Sequence, residues 1–262
     1  MYYEEYLKQT GASNILWMKS EGHVNVRFPF KSGDEMYMMN FSKTRKPYLV
    51  TGNYAMFKDV LEITLLRNYR PNLLRITEIS SEEGYRNSSP LFERTLNMRR
   101  MVAPNGDAKH LNAYLVMVYK ELCSLVDTQS TGSDIHSVIV FSNIISKCIL
   151  NSEPADANVS VMLLQKIRNL AADKGNVTLL FMEEEIKWHS KVEEILGSYE
   201  GMCFQCDKET STAMFGTDIA ATLKSNDICY VSTDDGELTR VCIPVFEDNE
   251  IDNILTRIIC SR

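Results

Sequence analysis

The sequence predicts an α/β fold with a mainly parallel sheet flanked by helices. Two kinds of segment predict it. Short runs rich in β-branched and aromatic residues, Ser137-Val-Ile-Val-Phe141 and Val177-Thr-Leu-Leu-Phe181, read as strands buried on both faces. Longer stretches of helical spacing separate such runs, and glycines such as Gly175 and Gly197 stop them. Strands alternating with helices of this length make βαβ units and therefore parallel pairing.

The first forty-odd residues read as a helix and short strands, Val24 to Phe28 and Met36 to Met39. They form an N-terminal lead-in, residues 1–45, to a domain over 46–262. That domain opens with the strand Tyr48-Leu-Val50 and a helix from about Met56 to Leu66, then a strand over Leu73 to Ile79. Ser89-Pro90 opens a helix, because Pro is tolerated in a first turn. Further helices run from about His110 to Val126, from Val159 to Ala172 and from Lys187 to Leu196. A strand over Gly201 to Cys206 and a short helix near Ala213 follow. Asp227 to Val231 and Leu238 to Ile243 then pair as a hairpin turned by Asp234-Asp-Gly236, and a helix from Glu250 to Ile259 closes the chain.

Bulk composition narrows the function. The 262 residues carry a formal net charge of −7, which gives no support to a phosphate-backbone grip. The most basic stretch, Lys43, Arg45 and Lys46, is short and reads as a solvated loop. Seven cysteines, an odd number set mostly in apolar runs, fit free thiols in a reducing compartment. The N-terminus lacks the basic and apolar regions of a signal peptide, and no run reaches the ~18–20 apolar residues that cross a bilayer.

One motif carries chemistry. A phosphate-binding P-loop reads G-x-x-x-x-G-K-[ST] between a strand and a helix. After the strand ending at Val50 comes Gly52-Asn-Tyr-Ala-Met-Phe57-Lys58-Asp59. Gly52 and Lys58 keep their places. Phe57 replaces the second glycine and brings a ring where backbone should approach phosphate. Asp59 replaces the hydroxyl that ligates Mg²⁺ and sets a negative charge beside triphosphate oxygens. Two like charges ~4 Å apart at an effective dielectric near 20 repel by about 4 kcal/mol. The strand that should end in two carboxylates, one for Mg²⁺ and one for water, ends instead in Ser142-Asn143. An amide is no general base at neutral pH.

The surrounding segments resemble the FtsK/SpoIIIE motor domain. Lys46-Pro-Tyr-Leu-Val-Thr-Gly52 is similar to that family's strand and first glycine. Leu91 to Arg100, with its paired Arg, and His110-Leu-Asn-Ala-Tyr114 resemble a helix and the segment after it. Leu164 to Gly175 with Val177 to Phe181, Asp207 to Gly216, and Asn226 to Tyr230 with Arg240 to Phe246 and Asp248 to Ile251 resemble later stretches in the same order. The resemblance spans roughly 45–260 and is nearest to the tandem motors of type VII secretion, the EssC/EccC type.

That resemblance implies a RecA-like P-loop NTPase fold and contacts with sister ATPase domains and secreted protein substrates. It implies a place at the cytoplasmic face of the cell membrane, anchored by a segment of a larger parent chain. The departures at Phe57, Asp59, Ser142 and Asn143 imply a pseudo-ATPase with no catalytic residue. Such a domain needs no cofactor, binds ATP and Mg²⁺ weakly at most, and acts as an interaction or regulatory module without nucleic acid. Two alternatives stand beside it: an ATP-binding domain without hydrolysis, and a DNA-translocase module.

Other constellations are weaker. Cys203-Phe-Gln-Cys206, placed in a strand, puts its thiols on opposite faces and reads as packing thiols, neither a zinc nor a redox pair. His23, His110, His136 and His189 are scattered, without a nucleophile beside them. Glu183-Glu-Glu185 reads as the solvated start of a helix.

Overall fold

The computed structural model describes residues 17–20, 23–32, 35–40, 45–68, 74–81, 98–127, 135–232 and 236–246, and five positions between 250 and 256. The expected helices at the extreme N-terminus and after Ser89 lie outside these residues. Strands β1 (Trp17–Ser20), β2 (His23–Ser32) and β3 (Glu35–Asn40) come first, then β4 (Tyr48–Thr51), α1 (Ala55–Asn68), β5 (Leu74–Ser81) and β6 (Met98–Ala103). They are followed by α2 (Ala108–Asp127), β7 (His136–Ser142), α3 (Pro154–Lys174), β8 (Val177–Glu183) and α4 (Ser190–Leu196). The last are β9 (Glu200–Cys203), α5 (Lys208–Phe215), β10 (Ile228–Ser232) and β11 (Leu238–Cys242).

The sheet order β9-β4-β8-β7-β5-β6 is parallel throughout. An antiparallel extension leaves β9 through β10 and β11, the expected C-terminal hairpin, and reaches β2, where Lys31 pairs with Cys242. The mainly parallel sheet with flanking helices is therefore the fold read from the sequence.

Alternation along each strand divides the core in two. Leu49, Ile139, Phe141, Leu179 and Phe181 face α2, α3 and α4. Tyr48, Val50, Val138, Val140, Leu180 and Met182 face α1. Successive side chains of a strand point to opposite faces, so a strand apolar on both faces must be covered twice. Phe141 and Phe181, on paired strands, stack with centroids 4.7 Å apart.

Helix ends follow local chemistry. Gly175 takes φ 70° and closes α3 with its N–H on Ala171 O. Arg168 of α3 donates to the carbonyl oxygens of Glu194 and Ile195 and so satisfies the last turn of α4. The helix expected from Lys187 begins at Ser190, because the imidazole of His189 accepts from Lys191 N and sets the cap there.

Two expectations are corrected. Arg99 and Arg100 lie on strand β6, not on a helix. Alternation sends them to different partners: Arg100 to Glu78 on β5, Arg99 to Glu121 on α2. Glu183-Glu-Glu185 does not start a helix. Glu183 is the fully buried last residue of β8.

Candidate functional site

The C-terminal ends of β4, β7 and β8 lie side by side, the position where open α/β sheets hold ligands. The chain leaves β4 at Thr51 and turns at Gly52, whose φ is +84°. A Cβ on Gly52 would lie 2.6 Å from Gln205 O and 2.8 Å from Phe204 O, so only glycine fits. The segment after β9 is thereby pressed against the turn. Phe204 N donates to Thr51 O at 2.9 Å, and Asn53 N to Gln205 O at 3.0 Å.

Helix α1 begins at Ala55, only two residues after Asn53. The stretch that would wrap a phosphate is wound into the first helical turn. Tyr54 N donates to Gly52 O and Lys58 N to Tyr54 O. Phe57 is fully buried, with its ring centroid 5.9 Å from that of Phe204. Lys58 is almost wholly buried. Asp59 sits beside it, half-buried. Burial pushes its carboxyl up to about 6, although the Lys58 charge opposes the rise.

Between this loop and β7 stands Tyr54, buried, with its hydroxyl 3.5 Å from Oδ1 of Asn143. Burial, and then the charges of Glu183 and Glu184, hold its phenol well above the ordinary value, so it stays neutral. Asn143 follows β7 with φ +53°, a left-handed conformation that asparagine tolerates. Its N–H donates to Met182 O at 2.7 Å, and its Oδ1 accepts from Glu184 N at 2.9 Å. Ser142 Oγ donates to Glu78 Oε1 at 3.2 Å, and the other oxygen of Glu78 takes Arg100 Nε at 2.8 Å.

Glu183 closes the group. Its carboxylate accepts from Ile145 N at 2.8 Å, Ser146 N at 3.0 Å and Ser146 Oγ at 2.5 Å, capping the π-helical turn after β7. Burial raises its carboxyl to about 7, and these hydrogen bonds oppose but do not cancel the rise.

The six residues singled out by sequence thus fall at the C-terminal ends of two strands, β4 and β7, with β8 between them. Gly52, Phe57, Lys58 and Asp59 form the turn and first helix after β4, while Ser142 and Asn143 end β7. What links them, Tyr54, occupies one of the free x positions of the motif, where an aromatic ring is the available signal. Glu78 and Glu183 are buried acids on strands, which an apolar-run reading passes over.

Cys203 and Cys206 require a correction. Strand β9 ends at Cys203, so Cys206 lies in the following loop. The opposite-face rule does not apply there, and the two sulfur atoms meet at 3.3 Å.

No family model and no curated protein sequence matches the chain. Solved structures do. The cytoplasmic domain of the type VII secretion ATPase EccC of Thermomonospora curvata aligns with TM-score 0.66 at 15% identity, over 94% of this chain and 32% of that one. The pCW3 conjugation coupling protein TcpA, in its monomer form with ATPγS, aligns with TM-score 0.61 at 13% identity, over 93% and 72%. ATPases 2 and 3 of EssC from Geobacillus thermodenitrificans align with TM-score 0.61 at 9% identity, over 90% and 48%. The chain therefore spans about a third of the EccC chain and about half of the EssC chain it matches. At these identities the likeness speaks to architecture alone: the chain shares the RecA-like fold of these structures, a mainly parallel sheet flanked by helices.

Proposed function

We propose that this domain is a catalytically degenerate motor fold that works by contact with other protein domains and not by turning over ATP. The observation that carries the reading is the Tyr54–Asn143 contact, which spans the gap between the turn after β4 and the end of β7. A triphosphate with its metal would need that gap. The chain's own side chains fill it, and the N–H groups of Asn53, Tyr54 and Lys58 are spent on protein carbonyls. Neither Ser142 nor Asn143 supplies a carboxylate for Mg²⁺ or for the attacking water. These residues do not fit ATP and Mg²⁺.

The contact partners in this reading are sister ATPase domains and secreted protein substrates of a larger membrane-anchored chain. A neighbour described as a type VII secretion ATPase, and another described by its numbered ATPases, support it. So do Val116 and Met117 on α2 and Val159 and Met162 on α3, large apolar side chains exposed on adjacent helices. The DNA reading draws only on the likeness to a conjugation coupling protein, and the net charge of −7 opposes it.

Titration calorimetry with ATP and Mg²⁺ tests the proposal. The wild type is expected to give no binding heat up to millimolar ATP. Micromolar binding by the wild type overturns the reading and establishes a nucleotide-binding domain. A Tyr54→Gly, Phe57→Gly, Asp59→Ser variant that gains binding identifies Gly52–Asp59 as a relic phosphate loop.

A further inference from the structure

The Cys203–Cys206 pair has no part in the function proposed above, and its geometry is specific. Cys203 is the last residue of β9 and is fully buried. Cys206 lies in the loop just before Asp207, the N-cap of α5, and is half-buried. Their sulfur atoms are 3.3 Å apart, in hydrogen-bond contact. A disulfide requires ~2.05 Å, so ring closure asks the sulfurs to approach by only about 1.3 Å.

The two residues between the cysteines are the ones that hold the turn after β4. Phe204 N bonds Thr51 O, Gln205 O accepts from Asn53 N, and both carbonyl oxygens abut Gly52. The Phe204 ring packs on Phe57. A change in the Cys203–Cys206 ring therefore acts directly on the backbone that carries Gly52–Tyr54.

We propose that Cys203 and Cys206 are a reversible dithiol–disulfide site, oxidised by small-molecule disulfides of the glutathione type, whose closure shifts the Phe204–Gln205 peptide against the Gly52–Tyr54 turn. Roles follow from access. Cys206, the accessible thiol, attacks a sulfur of the disulfide as its thiolate. It forms a mixed disulfide and expels one thiolate, which takes up a proton. Cys203 then attacks the Cys206 sulfur, and its proton goes to the second departing thiolate. In sum, two protein thiols and one disulfide become one protein disulfide and two small thiols, a two-electron exchange that glutathione reverses.

The electrostatics favour this order. The hydrogen bond from the Cys203 S–H holds the Cys206 thiol below its ordinary value, and it raises Cys203, which burial raises further. Cys206 is thus the more readily ionised thiol and the attacking one, and the buried Cys203 is the resolving partner.

The test uses the whole chain, equilibrated in glutathione buffers from fully reduced to fully oxidised, acid-quenched and alkylated. Tryptic peptide 192–208 carries both cysteines and none of the other five. Its unalkylated, two-hydrogen-lighter form is expected to rise with oxidation and to vanish on returning to reduced buffer. Cys203→Ser is expected to stop at a Cys206 mixed disulfide. Amide exchange at Asn53 is expected to change at least tenfold between the reduced and oxidised wild type, and not in Cys206→Ser. Absence of the disulfide at every ratio, or pairing of Cys203 with its neighbour Cys229, overturns the site. A disulfide formed with Asn53 exchange unchanged overturns its coupling to the turn.

Discussion

Tyr54 reaches across the sheet's C-terminal edge to Asn143, hydroxyl to amide oxygen at 3.5 Å, and ties the turn after β4 to the end of β7. At that length the hydrogen bond is at the edge of what counts as one. Asn143 Oδ1 also keeps the shorter bond from Glu184 N. The ring, buried against the rest of the site, is the larger contribution. Tyr54→Phe is expected to cost under about 1 kcal/mol of unfolding free energy. Tyr54→Ala, which leaves a cavity, is expected to cost about 3–5 kcal/mol, as aromatic truncations do. Urea unfolding separates the two. Equal costs would show that the hydroxyl, not the ring, holds the site.

Gly52 is the position least able to change. Its φ is +84°, and a Cβ there would meet carbonyl oxygens at 2.6 and 2.8 Å. Strain thus combines with collision against backbone, which cannot move aside as a side chain can. Gly52→Ala is expected to destabilise by at least about 2 kcal/mol. Gly175→Ala also sits at positive φ but meets nothing within 4 Å, so it isolates the strain alone. If thermal unfolding shows equal losses for both, the packing of Phe204 and Gln205 on Gly52 contributes nothing.

Much of this is legible in the sequence, and the failures have physical causes. The strands β7 and β8 announce themselves because both faces are buried, and such runs are apolar throughout. The spacing after Gly52 and the end of the strand at Ser142 single out six candidate residues, and the fold places them at the C-terminal ends of β4 and β7. Arg99 and Arg100 mislead because the stretch from Leu91 to Arg100 resembles a helix with paired Arg, while the chain is already a strand by Met98. On β6 each finds its own acid on a different side. Glu183 reads as solvated since nothing local reveals the three donors of Ile145 and Ser146, which lie 37 and 38 residues away. Cys203 and Cys206 turn on where β9 ends, a boundary that sequence fixes only to a few residues.

Arg100 and Glu78 form a nearly buried pair, Nε to Oε2 at 2.8 Å, and Glu78 also receives Ser142 Oγ. Removing one partner leaves a charge stranded in the sheet. Glu78→Ala is therefore expected to cost about 3–5 kcal/mol. Replacing both by apolar residues of similar size, Glu78→Leu with Arg100→Met, is expected to recover most of that loss. A double variant as unstable as Glu78→Ala in chemical denaturation would mean that the pair's attraction, not the stranded charge, sets the cost.

The fully buried Glu183 makes stability depend on pH in a definite direction. Its carboxyl titrates near 7 in the fold against an ordinary 4.5. Below about 4.5 both folded and unfolded chains carry the proton, and the contribution to stability is present in full. Between that value and about 7 only the unfolded chain ionises, so rising pH draws the equilibrium toward unfolding. Above about 7 both are ionised and the loss is complete, at about 3 kcal/mol for the full interval. Asp59, raised from 3.8 to about 6 and half-buried, adds a smaller change of the same sign. Glu183→Gln keeps an acceptor for Ile145 N and Ser146 but has no proton to lose. Unfolding free energies measured from pH 4.5 to 8 are expected to fall more steeply for the wild type than for this variant. Parallel curves would mean that the hydrogen bonds of Ile145 and Ser146 hold Glu183 ionised within the fold.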